Sequence, residues 1–257
     1  MLVFVIPLKS QQVSKDWDNV CQLFDRCLRS ICQQTDANFR VVVVCHEKPD
    51  IQFTHPQVDY VQVDFPTPNQ DYRDKMRDRG KKVIVGVIYA QRFSAHHMMI
   101  VDADDCLNRR VAEFTNQHPD VNGWVFQKGY VYQENSSFIY YRKSHFYSWC
   151  ATCNILKFDL CPLPSKDDEY PDDLITYYNG HGQMAAVMQE KGLPLEDFPF
   201  AGTVYIIGNG ENIYQGGFST LHNANKGKIL FFIKELLKFR PITPAIKQEF
   251  GLYKLSA

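Results

Sequence analysis

The stretch HHMMIVDADDCLNRRVAEF, residues 96–114, runs from an apolar segment straight into three carboxylates, Asp102, Asp104 and Asp105. Its apolar part, Met98 to Val101, is too short for a typical helix and suits a strand buried on both faces. Two runs of the same kind lie upstream, Leu2 to Ile6 and Phe39 to Cys45. Within residues 17–34, apolar side chains from Trp17 through Phe24 to Ile31 recur at helical spacing, and Asp16 is a candidate N-cap. Residues 58–65 (VDYVQVDF) alternate like a further strand, and residues 82–92 form a second helical stretch. This order predicts an α/β fold with a mostly parallel central sheet flanked by helices, whose ligands bind beyond the carboxyl ends of the strands. The three aspartates stand at such an end.

Beyond residue 107 the texture changes. LNRRVAEFTNQ reads as a helix, and the aromatic-rich segments that follow (GWVFQKGYVYQ, SSFIYYRKSHFYSW, TCNILKF) predict antiparallel strands added to the same sheet in the C-terminal half. Residues 182–191 read as a helix ended by Gly192 and Pro194, and KGKILFFIKELLKFR (226–240) as a last helical segment.

The 257 residues include 45% hydrophobic and 22% charged side chains, which argues against disorder, and a formal net charge of -1, which gives no global sign of a nucleic-acid partner. No apolar stretch reaches the roughly 18 residues of a membrane-spanning helix. MLVFVIPLKS lacks a basic start and meets Pro7, so it reads as a strand rather than a secretory signal, and a cytoplasmic location is expected. The eight cysteines, set mostly in apolar segments, read as reduced core residues.

Acids crowded within four positions repel one another and lose hydration unless a cation compensates them. A hard divalent ion accepts one or two carboxylates together with substrate phosphates. The plainer alternative has Asp104 or Asp105 capping the helix that follows.

Residues 96–114 resemble the aspartate-x-aspartate region of GT-A glycosyltransferases, in particular the family-2-like group, where a strand leads into the motif and then a helix. VFVIPLKS, followed by a helix and VVVVCHE, is similar to the first two strands of that family's nucleotide-binding half. The resemblance implies one Rossmann-like GT-A domain over 1–257, with a nucleotide-sugar-binding half (1–107), an acceptor half (108–225) and a C-terminal helical segment (226–257). It implies a metal-dependent enzyme of inverting, hexosyltransferase type that serves glycan or polysaccharide biosynthesis. Such an enzyme moves a sugar from a nucleotide-diphosphate donor to the hydroxyl of a glycan, lipid-linked or other acceptor.

By the same resemblance Asp104 would ligate Mn²⁺ or Mg²⁺, Asp102 would contact the ribose or reach the metal through water, and His222 in FSTLHNANK would close the metal site. Pro7 and Leu8 would border the nucleoside. The family commonly places an acid after the second strand, where this chain has His46 and Glu47, so Glu47 is the candidate contact to the base. Arg79, Lys81 and Lys82 in RDRGKK fit the family's phosphate-facing helix start, with a solvated charge run as the alternative.

Inverting transfer needs a general base beside the acceptor hydroxyl. The family's glutamate-aspartate pair at the start of a late helix is missing here: Gly180 and His181 stand at its place. Histidine is able to do this chemistry near neutral pH. Asp173, in KDDEYPDDL, is the competing candidate, and its alternative is a solvated helix start. The aromatic segment 124–149 offers surfaces for stacking on sugar rings, or core.

Other readings remain open on the sequence. WCATC (149–153) resembles a thioredoxin redox motif but leads into a strand rather than a helix, and Cys150, Cys153, Cys161 and His145 form a conceivable zinc set, with buried thiols as the commoner outcome. The basic, apolar segment 226–240 is a candidate for peripheral contact with the inner face of a membrane, or a helix packed on the sheet with its lysines reaching to water. Rival functions are a haloacid-dehalogenase-like phosphatase, whose nucleophilic aspartate belongs on the first strand, and a non-catalytic sugar-binding or scaffold protein.

Overall fold

A computed structural model describes residues 1–212 and 237–255. β1 (Leu2–Pro7) is buried at every position and lies inside a seven-stranded sheet. β2 (Phe39–Cys45) and β4 (His97–Ile100) flank it in parallel, and β3 (Val58–Gln62) pairs in parallel with β2. On the other side of β4, β9 (Asn154–Lys157) and β6 (Gly123–Val125) add antiparallel strands, and β10 (Glu196–Asp197) closes the edge parallel to β6.

Because side chains alternate along a strand, β1 feeds two cores. Leu2, Phe4 and Ile6 pack with Val20, Phe24 and Ile31 of α1 (Trp17–Cys32), whereas Val3 and Val5 pack with Val83, Ile84 and Val87 of α2 (Tyr72–Ala90). A strand covered on both faces must be apolar throughout, and this one is. The mixed α/β layout with a mostly parallel central sheet between helices therefore agrees with the sequence reading, as does Asp16, whose carboxylate caps α1 by accepting from the Asn19 amide at 3.1 Å.

Several elements differ from expectation. The second helix starts ten residues earlier than periodicity indicated, at Tyr72 behind an Asp71 cap, because its first turns are polar and carry no apolar stripe. LNRRVAEFTNQ is not one helix: Cys106–Leu107 form β5, and α3 (Val111–Asn116) follows. Nor do all the later strands join the first sheet. β7 (Gly129–Gln133), β8 (Phe138–Arg142) and β11 (Thr203–Ile207) make a second, five-stranded sheet with β5 and β12 (Phe239–Pro241), antiparallel except for the β11–β7 pair. Phe239 and Arg240, read as the end of a helix, are thus strand, while 226–236 lie outside the described residues. α6 (Pro244–Phe250) puts Phe250 into the second sheet's own core beside Cys106, Tyr132 and Ile206.

Two glycines set how closely α2 approaches its neighbours. A Cβ on Gly86 would stand 2.4 Å from Val5 Cγ1, and one on Gly80 would stand 2.7 Å from Ile175 Cγ2 of α4 (Asp172–Asn179). The first brings α2 down onto β1, and the second brings α4 down onto α2. Behind α4, His181–Gln183 make a single 3₁₀ turn before α5 (Met184–Glu190). Among the described residues no helix is long and apolar enough to cross a membrane.

The two sheets are tied together through α1. Arg26 has a fully buried side chain, donates to both carboxylate oxygens of Glu134 at the end of β7 (3.1 and 2.8 Å), and donates to the Tyr253 carbonyl at 3.0 Å. Removing one member of a buried pair leaves an uncompensated charge. Glu134→Ala is expected to cost about 3–5 kcal/mol in denaturant unfolding, and the double change Arg26→Met with Glu134→Leu to recover most of it.

Candidate active site

β1 and β4 run parallel and adjacent, so their carboxyl ends open on the same side, where a cleft of about 300 Å³ lies. Pro7, Leu8 and Lys9 line it from the end of β1, Arg79 and Lys82 from α2, Asp102 to Asp104 from the end of β4, and Asn179 and His181 from the end of α4. Tyr205 of β11 and Glu211 and Asn212 after it complete the wall.

The segment 102–105 is a tight turn, closed by the Asp105 amide donating to the Asp102 carbonyl at 3.1 Å and anchored by the Asp102 amide donating to Thr152 Oγ1 at 2.9 Å. The turn divides its acids. Asp102 Oδ1 accepts from Arg79 Nη2 at 2.8 Å and Nε at 3.2 Å, so its charge is already met. Among the described residues Asp104 has no cation within salt-bridge distance; its Oδ2 accepts from the side-chain amides of Asn209 (2.7 Å) and Asn212 (3.2 Å). Burial first, and then the Asp102 charge, hold the Asp104 carboxyl up at about 6.

Asp105 points the other way. It is completely buried, accepts from the Ile206 amide at 3.1 Å and from the Cys150 thiol at 3.3 Å, and burial pushes its carboxyl well above the usual range. The reading of Asp105 as a helix cap is therefore corrected: the next helix begins six residues later, and this carboxyl instead joins β11 of the second sheet to the cysteine segment.

The basic cluster also behaves differently from its reading as a helix start. It sits in the middle of α2, and the three cations expected to face phosphate, Arg79, Lys81 and Lys82, separate. Arg79 faces the cleft and donates to Asp102 and to Asn179 Oδ1 (3.0 Å). Lys82 is completely buried, donating to the Leu8 carbonyl at 2.8 Å and to Asp78 at 2.7 Å; burial lowers its pKa, and Asp78 opposes that shift. Lys81 lies instead over the rings of Phe65 and Tyr170, 5.1 and 5.5 Å from their centres, and is not on the cleft wall.

Of the other expected residues, Glu47 accepts from Ser10 Oγ at 3.0 Å and from the Gln11 amide at 3.2 Å, away from the cleft lining. Asp173 is exposed in the first turn of α4 and does not line the cleft. His181 does line it; burial lowers its imidazole pKa and the Asp102 charge raises it in part. His222 lies outside the described residues. From the aromatic segment Trp149 reaches the cleft, stacked on Tyr140 with ring centres 6.0 Å apart. All eight cysteines are free thiols, and Cys153 donates to the Tyr147 carbonyl at 3.8 Å. Among the described residues no three His, Cys, Asp or Glu side chains gather as a metal-binding group.

Sequence reading missed the residues that brace the site from the far end of the chain. Asn209 is fully engaged: its amide donates to Asp104 while its oxygen accepts from the Glu211 and Asn212 amides at 2.9 and 3.0 Å. Glu211 accepts from Lys9 Nζ at 2.8 Å and from the Lys15 and Asp16 amides at 3.0 and 2.9 Å. The available signal was the polar, glycine-punctuated run GNGEN, which has turn chemistry and sits beside a strand.

No protein-family profile matches the chain, and no curated protein sequence matches it. Solved structures do. The Staphylococcus aureus TarS fragment 1–349 in complex with UDP aligns over 80% of this chain and 60% of its own length, at 14% identity and a TM-score of 0.47. The same fragment with UDP-GlcNAc aligns over 80% and 58%, at 12% identity and a TM-score of 0.44. Francisella tularensis 2-C-methyl-D-erythritol 4-phosphate cytidylyltransferase aligns over 87% and 98%, at 10% identity and a TM-score of 0.40. This chain thus spans less than two thirds of the TarS fragment.

The brace has a direct readout. In Glu211→Ala the Lys15 and Asp16 amides lose their acceptor, and their hydrogen exchange is expected to accelerate, with a stability loss of about 1–3 kcal/mol. Unchanged protection at both amides would show that the carboxylate does not hold this corner.

Proposed function

We propose that this chain transfers a sugar from a nucleotide-diphosphate donor to an acceptor hydroxyl with the help of Mn²⁺ or Mg²⁺. The observation that carries the proposal is the meeting, in one cleft at the carboxyl ends of β1 and β4, of a carboxylate without a cationic partner among the described residues, a cleft-facing arginine and an imidazole. Open α/β sheets bind ligands at this end.

The charges suit a diphosphate. Arg79 already compensates Asp102, which leaves Asp104 as the acid whose crowding a cation would relieve. Its carboxylate supplies the hard oxygen such ions prefer; among the described residues no group of three metal-ligating side chains gathers, so phosphate oxygens and water would complete the shell. When bound, the cation neutralises charge that builds on the departing diphosphate. Arg79 would share that task from α2. Pro7 and Leu8 border the inner part of the cleft, where an apolar wall suits the flat face of a nucleoside.

His181 is the candidate base. Its position on the cleft wall and its lowered pKa favour a neutral imidazole, able to take the proton from an acceptor hydroxyl as the sugar moves. Asp173, exposed and off the wall, is the weaker of the two candidates.

A thermal-shift panel of nucleoside diphosphates and nucleotide sugars, with and without Mn²⁺, tests the proposal. At least one of them is expected to raise the melting temperature in a metal-dependent way, and Asp104→Ala to abolish that rise while the protein stays folded. A panel without any metal-dependent shift would overturn the reading.

A further inference from the structure

We infer that the groove between the first turns of α2 and the length of α4 with the turn that follows it is the acceptor subsite, and that it takes a neutral oligosaccharide. The inference rests on the transferase reading above and adds the chemical class of the acceptor.

The groove has a volume of about 720 Å³, within the range of about 300–1,000 Å³ usual for ligand sites. It is continuous with the cleft: Tyr72, Met76, Asn179 and His181 line both. His181 therefore stands where the two spaces meet, which is where an acceptor hydroxyl and a donor sugar must come together.

The walls of the groove are polar but carry no net field of one sign. Arg77 is paired with Asp172 across it, and Arg73 is followed directly by Asp74. Thr176 and Gln183 add uncharged hydrogen-bonding groups. A polyanionic acceptor would meet a carboxylate for each arginine, whereas a chain of hydroxyls finds both donors and acceptors without leaving a charge unmatched.

Tyr72 supplies the apolar element. It is 64% exposed at the mouth shared by cleft and groove, so its ring is open to a ligand that would cover it. The C–H face of a pyranose ring is such a cover, with the ring's hydroxyls left to the polar wall.

The test is protein-observed NMR with millimolar cellotetraose, maltotetraose, chitotetraose and mannotetraose, and with tetragalacturonate as the anionic probe. At least one neutral tetrasaccharide is expected to shift the amides of Tyr72, Thr176 and Gly182. Tyr72→Ala should weaken that binding about five- to tenfold, Tyr72→Phe should keep it, and Phe138→Ala, an exposed aromatic on the second sheet, should leave it unchanged. If none of the four neutral sugars shifts these amides, or if tetragalacturonate alone does, the inference is overturned. The nucleotide panel on the wild-type protein separates the two readings: a metal-dependent nucleotide shift with a silent groove defeats only the acceptor subsite. A silent nucleotide panel defeats the transferase reading, whatever the sugars do.

Discussion

A buried ammonium sets the geometry on which the site depends. Lys82 lies inside α2 with no exposure, between the carbonyl at the end of β1 and the carboxylate of Asp78 one turn earlier. Taking a lysine out of water is costly, and burial does lower its pKa, but the opposing carboxylate keeps the charged form in reach and the carbonyl accepts a second hydrogen bond from the ammonium. The result is a fixed distance between the helix and the strand end. Arg79, three positions before Lys82 on α2, is thereby held over the turn at the end of β4, where it meets Asp102.

The same helix explains how the acids at that turn come to differ. One carboxylate is satisfied by an arginine, one by two amides and one by a backbone N–H and a thiol, so three adjacent acids occupy three electrical environments. In the middle one burial and the neighbouring Asp102 charge raise the pKa, and the Asn209 amide opposes the rise in part.

The first sheet was readable because burial on both faces writes itself into composition: Leu2 to Ile6 has no polar position, and Phe39 to Cys45 has one, Arg40, in an otherwise apolar run. The floor of the site was readable for the same reason, since Pro7, Leu8, Asp102 and Asp104 end such strands. The rest depends on contacts between distant segments, which local pattern does not carry. Nothing in RDRGKK says that its second arginine faces the cleft while one lysine is buried and the other lies on aromatic rings. Nothing in the alternation of β7 and β8 distinguishes a second sheet from an extension of the first, because a partner strand is chosen by topology and not by period. Asn209 and Glu211 escaped notice because their partners lie about a hundred and about two hundred positions away.

That last separation governs the order in which the molecule is made. The sheet centre needs only the first hundred residues, but Lys9 meets Glu211 across 202 positions and Asn19 meets the Asn209 carbonyl across 190. Loops of that span close late, after local and medium-range structure is in place, and chains rich in such contacts fold slowly. During synthesis the strand ends and the acidic turn therefore exist before the segment that walls them in, and the cleft becomes a closed site only when the chain has been made past residue 211.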